Sequence, residues 1–209
     1  MTVLLDTSAT FLFTGDSVTD CGRRDDVQGL GQGYVRILHG LWRDAAPQMI
    51  NTGIGGNRAA DLAARVGPDV VDHRADLVSI LIGINDMWRR YDRDDPTSTE
   101  AFADSYRAVL TKVSEAGSQI VLIEPFLLAI NEEQKEWRED LDPKIKAVRA
   151  LAKEVSAILV PADVQLNKAA SKGDGPASYA HDGVHPTPLG HVELAQLWHR
   201  TVIKSGRPA

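Results

Sequence analysis

Short apolar runs of strand length alternate along this chain with longer amphipathic stretches, and this alternation constrains its fold more than any other feature. The strand-like runs fall at residues 10–14, 48–51, 77–82, 119–123 and 158–160. Gly15, Gly83 and Pro125 bound three of them. Between them lie segments with helical signals. Residues 32–45 read as helix, and residues 57–71 read as helix with a break at Gly67-Pro68. Thr97-Ser-Thr-Glu100 matches a capping box, in which the first hydroxyl and the fourth residue's carboxylate satisfy free helix amides. It opens a helix that runs to Glu115. Asp142-Pro143 reads as a cap followed by a first-turn proline, before Ile145, Val148, Ala152 and Val155 at helical spacing. Thr187-Pro188 opens a last helix with Leu194, Leu197, Trp198 and Val202 on one side.

Strands that alternate with helices pair in parallel, and the crossovers place helices on both faces of the sheet. The predicted class is therefore α/β, a three-layer α/β/α fold with a flavodoxin-like five-stranded parallel sheet in the order 2-1-3-4-5. Residues 1–209 suit a single domain, with no internal repeat or linker. In that order strands 1 and 3 are neighbours at the switch point, so the loops leaving their C-terminal ends flank a crevice. The net charge of −6 comes without a basic run, which argues against a nucleic-acid partner. No apolar run approaches the roughly 18 residues of a membrane helix. The opening Met-Thr-Val-Leu-Leu-Asp-Thr-Ser lacks the positive region of a secretory signal. Cys21 is the single cysteine, so no internal disulfide or cysteine-rich metal site can form, and a reducing cytoplasm is the expected location.

Four polar, glycine-marked segments follow strand ends: Gly15-Asp16-Ser17, Asn51-Thr-Gly-Ile-Gly-Gly56-Asn57, Gly83-Ile-Asn85-Asp86 and Asp182-Gly-Val-His185-Pro186. All four are expected on one edge of the sheet, where such folds carry function. A serine hydroxyl is a poor nucleophile until a base takes its proton, and the imidazole of His185 is suited to that near neutral pH. Asp182, three residues earlier on a tight loop, can orient the ring and stabilise its charged form. Acyl transfer also needs donors for a tetrahedral oxyanion, and the Ser17 and Gly56 N–H groups with the Asn85 amide can supply three.

These segments resemble the SGNH hydrolases, the GDSL esterase/lipase family, named for Ser, Gly, Asn and His in four blocks. The matches are Ser17 in Gly-Asp-Ser, Gly56, Asn85 in Gly-x-Asn-Asp, and Asp182-x-x-His185. The resemblance implies a three-layer fold, a serine nucleophile, no metal and no cofactor. It also implies an oxyanion hole of Ser17, Gly56 and Asn85. Val18 stands where the family often has leucine, and His181 stands where some relatives have an aromatic residue. The stretches 14–23, 84–91 and 184–191 are similar to the branch that includes bacterial acetylxylan esterases, which deacetylate sugar hydroxyls.

Other residues carry weaker readings. Asn57, Arg58, Trp88, Arg89 and Tyr91 form a mix suited to a sugar, with an N-cap role for Asn57 and a solvated helix start at 88–91 as the structural alternatives. Asp16 and Asp86 read as braces for their own loops. His181 and His185 sit four apart, but Gly183 and Pro186 argue against the helix that a metal pair would use. Gly53-x-Gly55 fails as a dinucleotide loop because Arg58 occupies the third glycine position. The sequence reading is a serine carboxylic-ester hydrolase acting on a small-molecule ester, with acetyl on xylo-oligosaccharides as the first choice of substrate. A lysophospholipase, a thioesterase, a short-chain carboxylesterase and an idle carbohydrate-binding domain stay open as alternatives, as does a homo-oligomer.

Overall fold

The computed structural model describes residues 8–42 and 46–205. Among them five strands form one parallel sheet: β1 (Thr10–Gly15), β2 (Gln48–Asn51), β3 (Leu77–Leu81), β4 (Gln119–Ile123) and β5 (Ile158–Val160), in the order β2-β1-β3-β4-β5. The register sets Phe13 beside Asn51 and Gly15 beside Leu81. The helices are α1 (Ser17–Asp20), α2 (Tyr34–Trp42), α3 (Ala59–Asp69), α4 (Ile84–Arg93), α5 (Thr99–Glu115), α6 (Glu132–Glu136), α7 (Arg138–Glu154), α8 (Ala162–Lys172), α9 (Pro176–Tyr179) and α10 (Pro188–Ser205). None is long and apolar enough to cross a membrane.

Side chains alternate across a strand, so the near-continuous apolar runs of the sequence feed two cores. Phe11, Phe13, Leu77, Leu81, Val121 and Ile123 pack on one face against α2, α8 and α10. Leu12, Val78, Ile80 and Leu122 pack on the other face against α3, α5 and α7. Full burial of each such side chain contributes about 1.5–3 kcal/mol. The one polar residue inside β3, Ser79, accepts a hydrogen bond from the Trp198 indole at 2.9 Å, so neither group is buried unsatisfied. A third, smaller cluster lies at the C-terminal edge of the sheet and joins Ile84 and Met87 of α4, Leu127, Trp137, Leu141 and Ile145 of α7, and Val184. This cluster is the floor under the loops that follow.

The expected class and strand order are those observed. The helix boundaries differ where long-range contacts outweigh local signals. The helix expected over 57–71 begins at Ala59 and runs through Gly67-Pro68 without a break. Pro68 sits in the final turn, where its missing N–H removes a single bond. The cap of α5 is Ser98, whose hydroxyl accepts from the Ala101 amide, and Thr97 accepts from Arg58 instead. Asp142-Pro143 does not open a helix: α7 starts at Arg138 and carries Pro143 inside. Its first turn is held by half-buried Arg138, which binds both oxygens of buried Asp163 at 2.7 and 2.9 Å. The far end of the helix expected over 32–45, like the N-terminal stretch read for a signal, lies outside the described residues.

Candidate active site

β1, β2 and β3 end side by side, and the polar loops leave from that edge. Gly15 closes β1 so tightly against β3 that a Cβ there would lie 1.9 Å from the Leu81 carbonyl oxygen. The next residue, Asp16, caps α1 by accepting the Val18 amide at 3.0 Å. Ser17 thus becomes the first residue of a short helix, with its hydroxyl partly exposed at the sheet edge.

That hydroxyl lies 2.9 Å from His185 Nε2, across 168 residues of chain. His185 Nδ1 lies 2.6 Å from Asp182 Oδ2. The other carboxylate oxygen, Oδ1, accepts the Val184 and His185 amides at 2.9 and 2.7 Å. Partial burial pushes the Asp182 carboxyl upward, but the His185 ring and the two amides outweigh it and hold the group well below the usual carboxylate range. An ionised carboxylate only accepts, so Nδ1 carries the proton and the Nε2 lone pair faces Ser17. The bond to Asp182 raises the His185 pKa, with partial burial opposing it.

The Asp182–His185 loop is carried by residues that sequence reasoning missed. Buried Gln134 donates to the Asp182 carbonyl at 2.7 Å and accepts the Ile130 amide at 2.9 Å. The Leu128 amide donates to the Gly183 carbonyl at 2.8 Å. Trp88 closes one side, its ring 5.7 Å from the imidazole.

The second and third loops meet at Asn85. This buried side chain donates from Nδ2 to the Asn57 carbonyl at 3.0 Å, which ties α4 to the Gly55-Gly56-Asn57 turn. Gly56 has φ +82°, a conformation that favours glycine. A Cβ there would meet only open space, so the conformation and not crowding demands the residue. Arg65, also unforeseen, clamps this region: it donates to the carbonyls of Thr52 and Gly15 at 2.8 and 3.0 Å and to the Asn57 side chain at 2.7 Å.

Asn57 is therefore not the cap of α3; its side chain serves Arg65, and the cap position is Arg58. The Arg58 guanidinium binds Asp95 at 2.6 Å and Thr97 at 3.3 Å. Tyr91 stacks on Trp137 with ring centroids 5.0 Å apart, and its hydroxyl is buried. Arg89 binds Asn85 and Asp92. Of the five residues read as a rim, Trp88 is the one whose ring reaches His185. His181 is exposed beside Asp182. Asp86 ties its own loop to the start of α3, accepting the Ala59 amide at 3.0 Å. An open hollow of about 440 Å³ adjoins Ser17 and is lined by Asp20, Cys21, Gly22, Arg24 and Asp25, a polar wall.

Asp16 is fully buried under this site, and its Oδ2 has no hydrogen-bond partner among the described residues. Burial is the main cause that raises its pKa to about 7, with the Val18 amide opposing. In the unfolded chain it ionises near pH 3.9. Between those values the folded state holds a proton that the unfolded state has released, so stability falls as pH rises from about 4 to about 7. Asn at position 16 keeps an oxygen for the cap and never ionises. Asp16→Asn is expected to melt several degrees above the parent at pH 8, at about 2–4 °C per kcal/mol for a chain of this length. The two curves are expected to converge at pH 4. Thermal melts at the two pH values check this; equal gains at both would show that the carboxylate charge is not the cause.

Comparisons with known proteins bear on the family and the fold. The GDSL-like lipase/acylhydrolase family matches residues 13–192. An acetylxylan esterase of Geobacillus stearothermophilus is 38% identical over 206 residues, covering 91% of this chain and 92% of its own. The crystal structure of Axe2, an acetylxylan esterase from the same organism, superposes with a TM-score of 0.86 at 33% identity, covering 95% of both chains. Structures of Axe2 described as catalytic mutants replace a serine, an aspartate and a histidine by alanine, the last two being three positions apart. A putative GDSL-like lipase from Parabacteroides merdae superposes with a TM-score of 0.88 at 32% identity, covering 97% of this chain and 99% of its own. With this fold and a family match that spans most of its length, the chain belongs to the GDSL-like lipase/acylhydrolase family and is a carboxylic ester hydrolase.

Proposed function

We propose that this enzyme removes acetyl groups from acetylated xylo-oligosaccharides, acting as a single domain through an acyl-enzyme. The observation that carries the reading is the chain of hydrogen bonds from Ser17 through His185 to Asp182, at 2.9 and 2.6 Å. In this reading Ser17 attacks the ester carbonyl while His185 takes its proton. The tetrahedral oxygen is held by the N–H groups of Ser17 and Gly56 and by Asn85 Nδ2. His185 then gives that proton to the ester oxygen of the sugar as the C–O bond breaks, and the sugar leaves as a free hydroxyl. Water, deprotonated by His185 in turn, releases acetate. Asp182 holds the tautomer that each step requires. The single cysteine suits a reducing compartment, and we place the enzyme in the cytoplasm.

Two observations support a short acyl group on a polar alcohol. The likeness is to acetylxylan esterases. The hollow beside Ser17 is walled by Asp20, Arg24 and Asp25 and not by an apolar groove. A pocket built for lipid chains gains about 0.8 kcal/mol per buried CH₂ and favours long acyl groups steeply. Here p-nitrophenyl acetate is expected to be turned over best, butyrate less well, and chains beyond about eight carbons barely, since the polar wall beside Ser17 does not supply that increment. Acetylated xylo-oligosaccharides are expected to release acetate. Preference for octanoate, without acetate release from the sugars, would move the enzyme to the lysophospholipase or thioesterase reading.

A further inference from the structure

An asparagine amide has an oxygen and a nitrogen of nearly equal size, and only one of its two orientations presents N–H groups to an oxyanion. In the wrong orientation Asn85 would set a carbonyl oxygen against the developing negative charge. Two neighbours fix the choice. The Asn57 backbone carbonyl can only accept, so the nitrogen of Asn85 must face it, as it does at 3.0 Å. The Arg89 guanidinium can only donate, so the oxygen must face Arg89, as it does at 2.8 Å. One N–H of Asn85 is then used by Asn57, and the second is left for a ligand.

Arg89 is itself held in place. It lies one helical turn after Asn85 on α4, so the two side chains share a face. Its side chain is only 12% exposed and is paired with Asp92. Its guanidinium also rests 5.4 Å from the centre of the Trp88 ring. A rotating or solvated arginine could not set an amide; this one is anchored on three sides. Its charge also pulls electron density toward the Asn85 oxygen, which makes the N–H groups stronger donors.

We propose that Arg89 is a positioning residue, which acts through Asn85 by holding its amide in the orientation that stabilises the oxyanion, and does not act by touching the sugar. The inference rests on Asn85 being an oxyanion donor.

The test is a double-mutant cycle on Asn85→Ala and Arg89→Met, with kcat and KM measured for p-nitrophenyl acetate on the alkaline plateau, where His185 is neutral. Asn85→Ala alone is expected to lower kcat by roughly 10²–10³-fold with KM nearly unchanged. Arg89→Met alone is expected to lower kcat by roughly 10–10²-fold, less because the Asn85 amide still adopts the productive orientation part of the time. In the Asn85→Ala background Arg89→Met is expected to cost nothing further. Arg89→Lys, which keeps a donor on a flexible stem, is expected to recover part of kcat. If Arg89→Met melts early, Arg89→Gln and Arg89→Lys carry the same cycle. Loss in KM instead of kcat would overturn the proposal and return Arg89 to a substrate contact. An equal loss in both backgrounds would also overturn it, as would parental kcat in Arg89→Met beside an impaired Asn85→Ala. Parental kcat in Asn85→Ala itself would instead sink the oxyanion reading on which it stands.

Discussion

Ser17→Ala is expected to lose about 10⁴–10⁶-fold in turnover while the fold survives. The loss is large because, in the proposed mechanism, the substitution removes the atom that bonds to the acyl carbon. Cys21 is the nearest alternative nucleophile in the sequence, but partial burial raises its thiol pKa, and Sγ faces His191 and not His185. His191 is no spare base: burial lowers its pKa to about 4, and its Nδ1 accepts the Tyr34 amide. The fold survives because the cap of α1 comes from Asp16 and not from the Ser17 hydroxyl. A serine-directed phosphonate is expected to add once to the parent and not to the variant. Intact-mass measurement with peptide mapping checks this, and an adduct on any other residue would overturn the assignment of the nucleophile.

Asp182→Asn is expected to lower kcat by roughly 10³–10⁴-fold, for a reason specific to this loop. Oδ1 of Asp182 accepts two backbone amides, from Val184 and His185. In the variant those two donors demand the carboxamide oxygen. The NH₂ group is then forced into the place of Oδ2, where it donates to His185 Nδ1. The ring proton moves to Nε2 and points at Ser17, and the base has become a donor. The substitution conserves shape and the two backbone hydrogen bonds but inverts the direction of the bond to the ring, so the melting temperature is expected to change far less than kcat. Comparing kcat with thermal melts and with phosphonate labelling rates separates the two effects. A variant with near-parental kcat would show that the oxygen can face the ring and that the two amides do not control the flip.

The strands, their order and the four loops were legible because each is written in a few adjacent residues. Alternation or a continuous apolar run marks a strand, and a glycine marks where it ends. Gly56 and Asn85 were readable in the same way. Gln134 and Arg65 were not, because their work is done at a distance in sequence: Gln134 supports a loop 48 residues away and Arg65 a carbonyl 50 residues away. Nothing local to either residue signals it. The misplaced start of α7 has the same origin. Asp142-Pro143 is a sound local signal, but the pairing of Arg138 with Asp163 on α8 draws the helix start back by several residues. Arg89 shows a subtler limit. Its position near Asn85 was visible, but a rim residue and an internal brace look alike until the direction of the guanidinium is known.

The proposed nucleophile, Ser17, and its proposed base, His185, stand 168 residues apart in sequence. While the protein is being made, the ribosome releases Ser17, the Gly56 turn and Asn85 long before it releases Asp182 and His185. A growing chain can therefore carry the oxyanion donors and the hydroxyl but has nothing to deprotonate it. On the proposed mechanism such a chain is silent, and it gains its chemistry only when the Asp182–His185 loop has been made and has closed on Ser17. Contacts of such long range are also the slowest to form, because the chain between them must be ordered before they return any stability. Activity in a translation reaction is thus expected to be a clock for the moment at which synthesis passes His185.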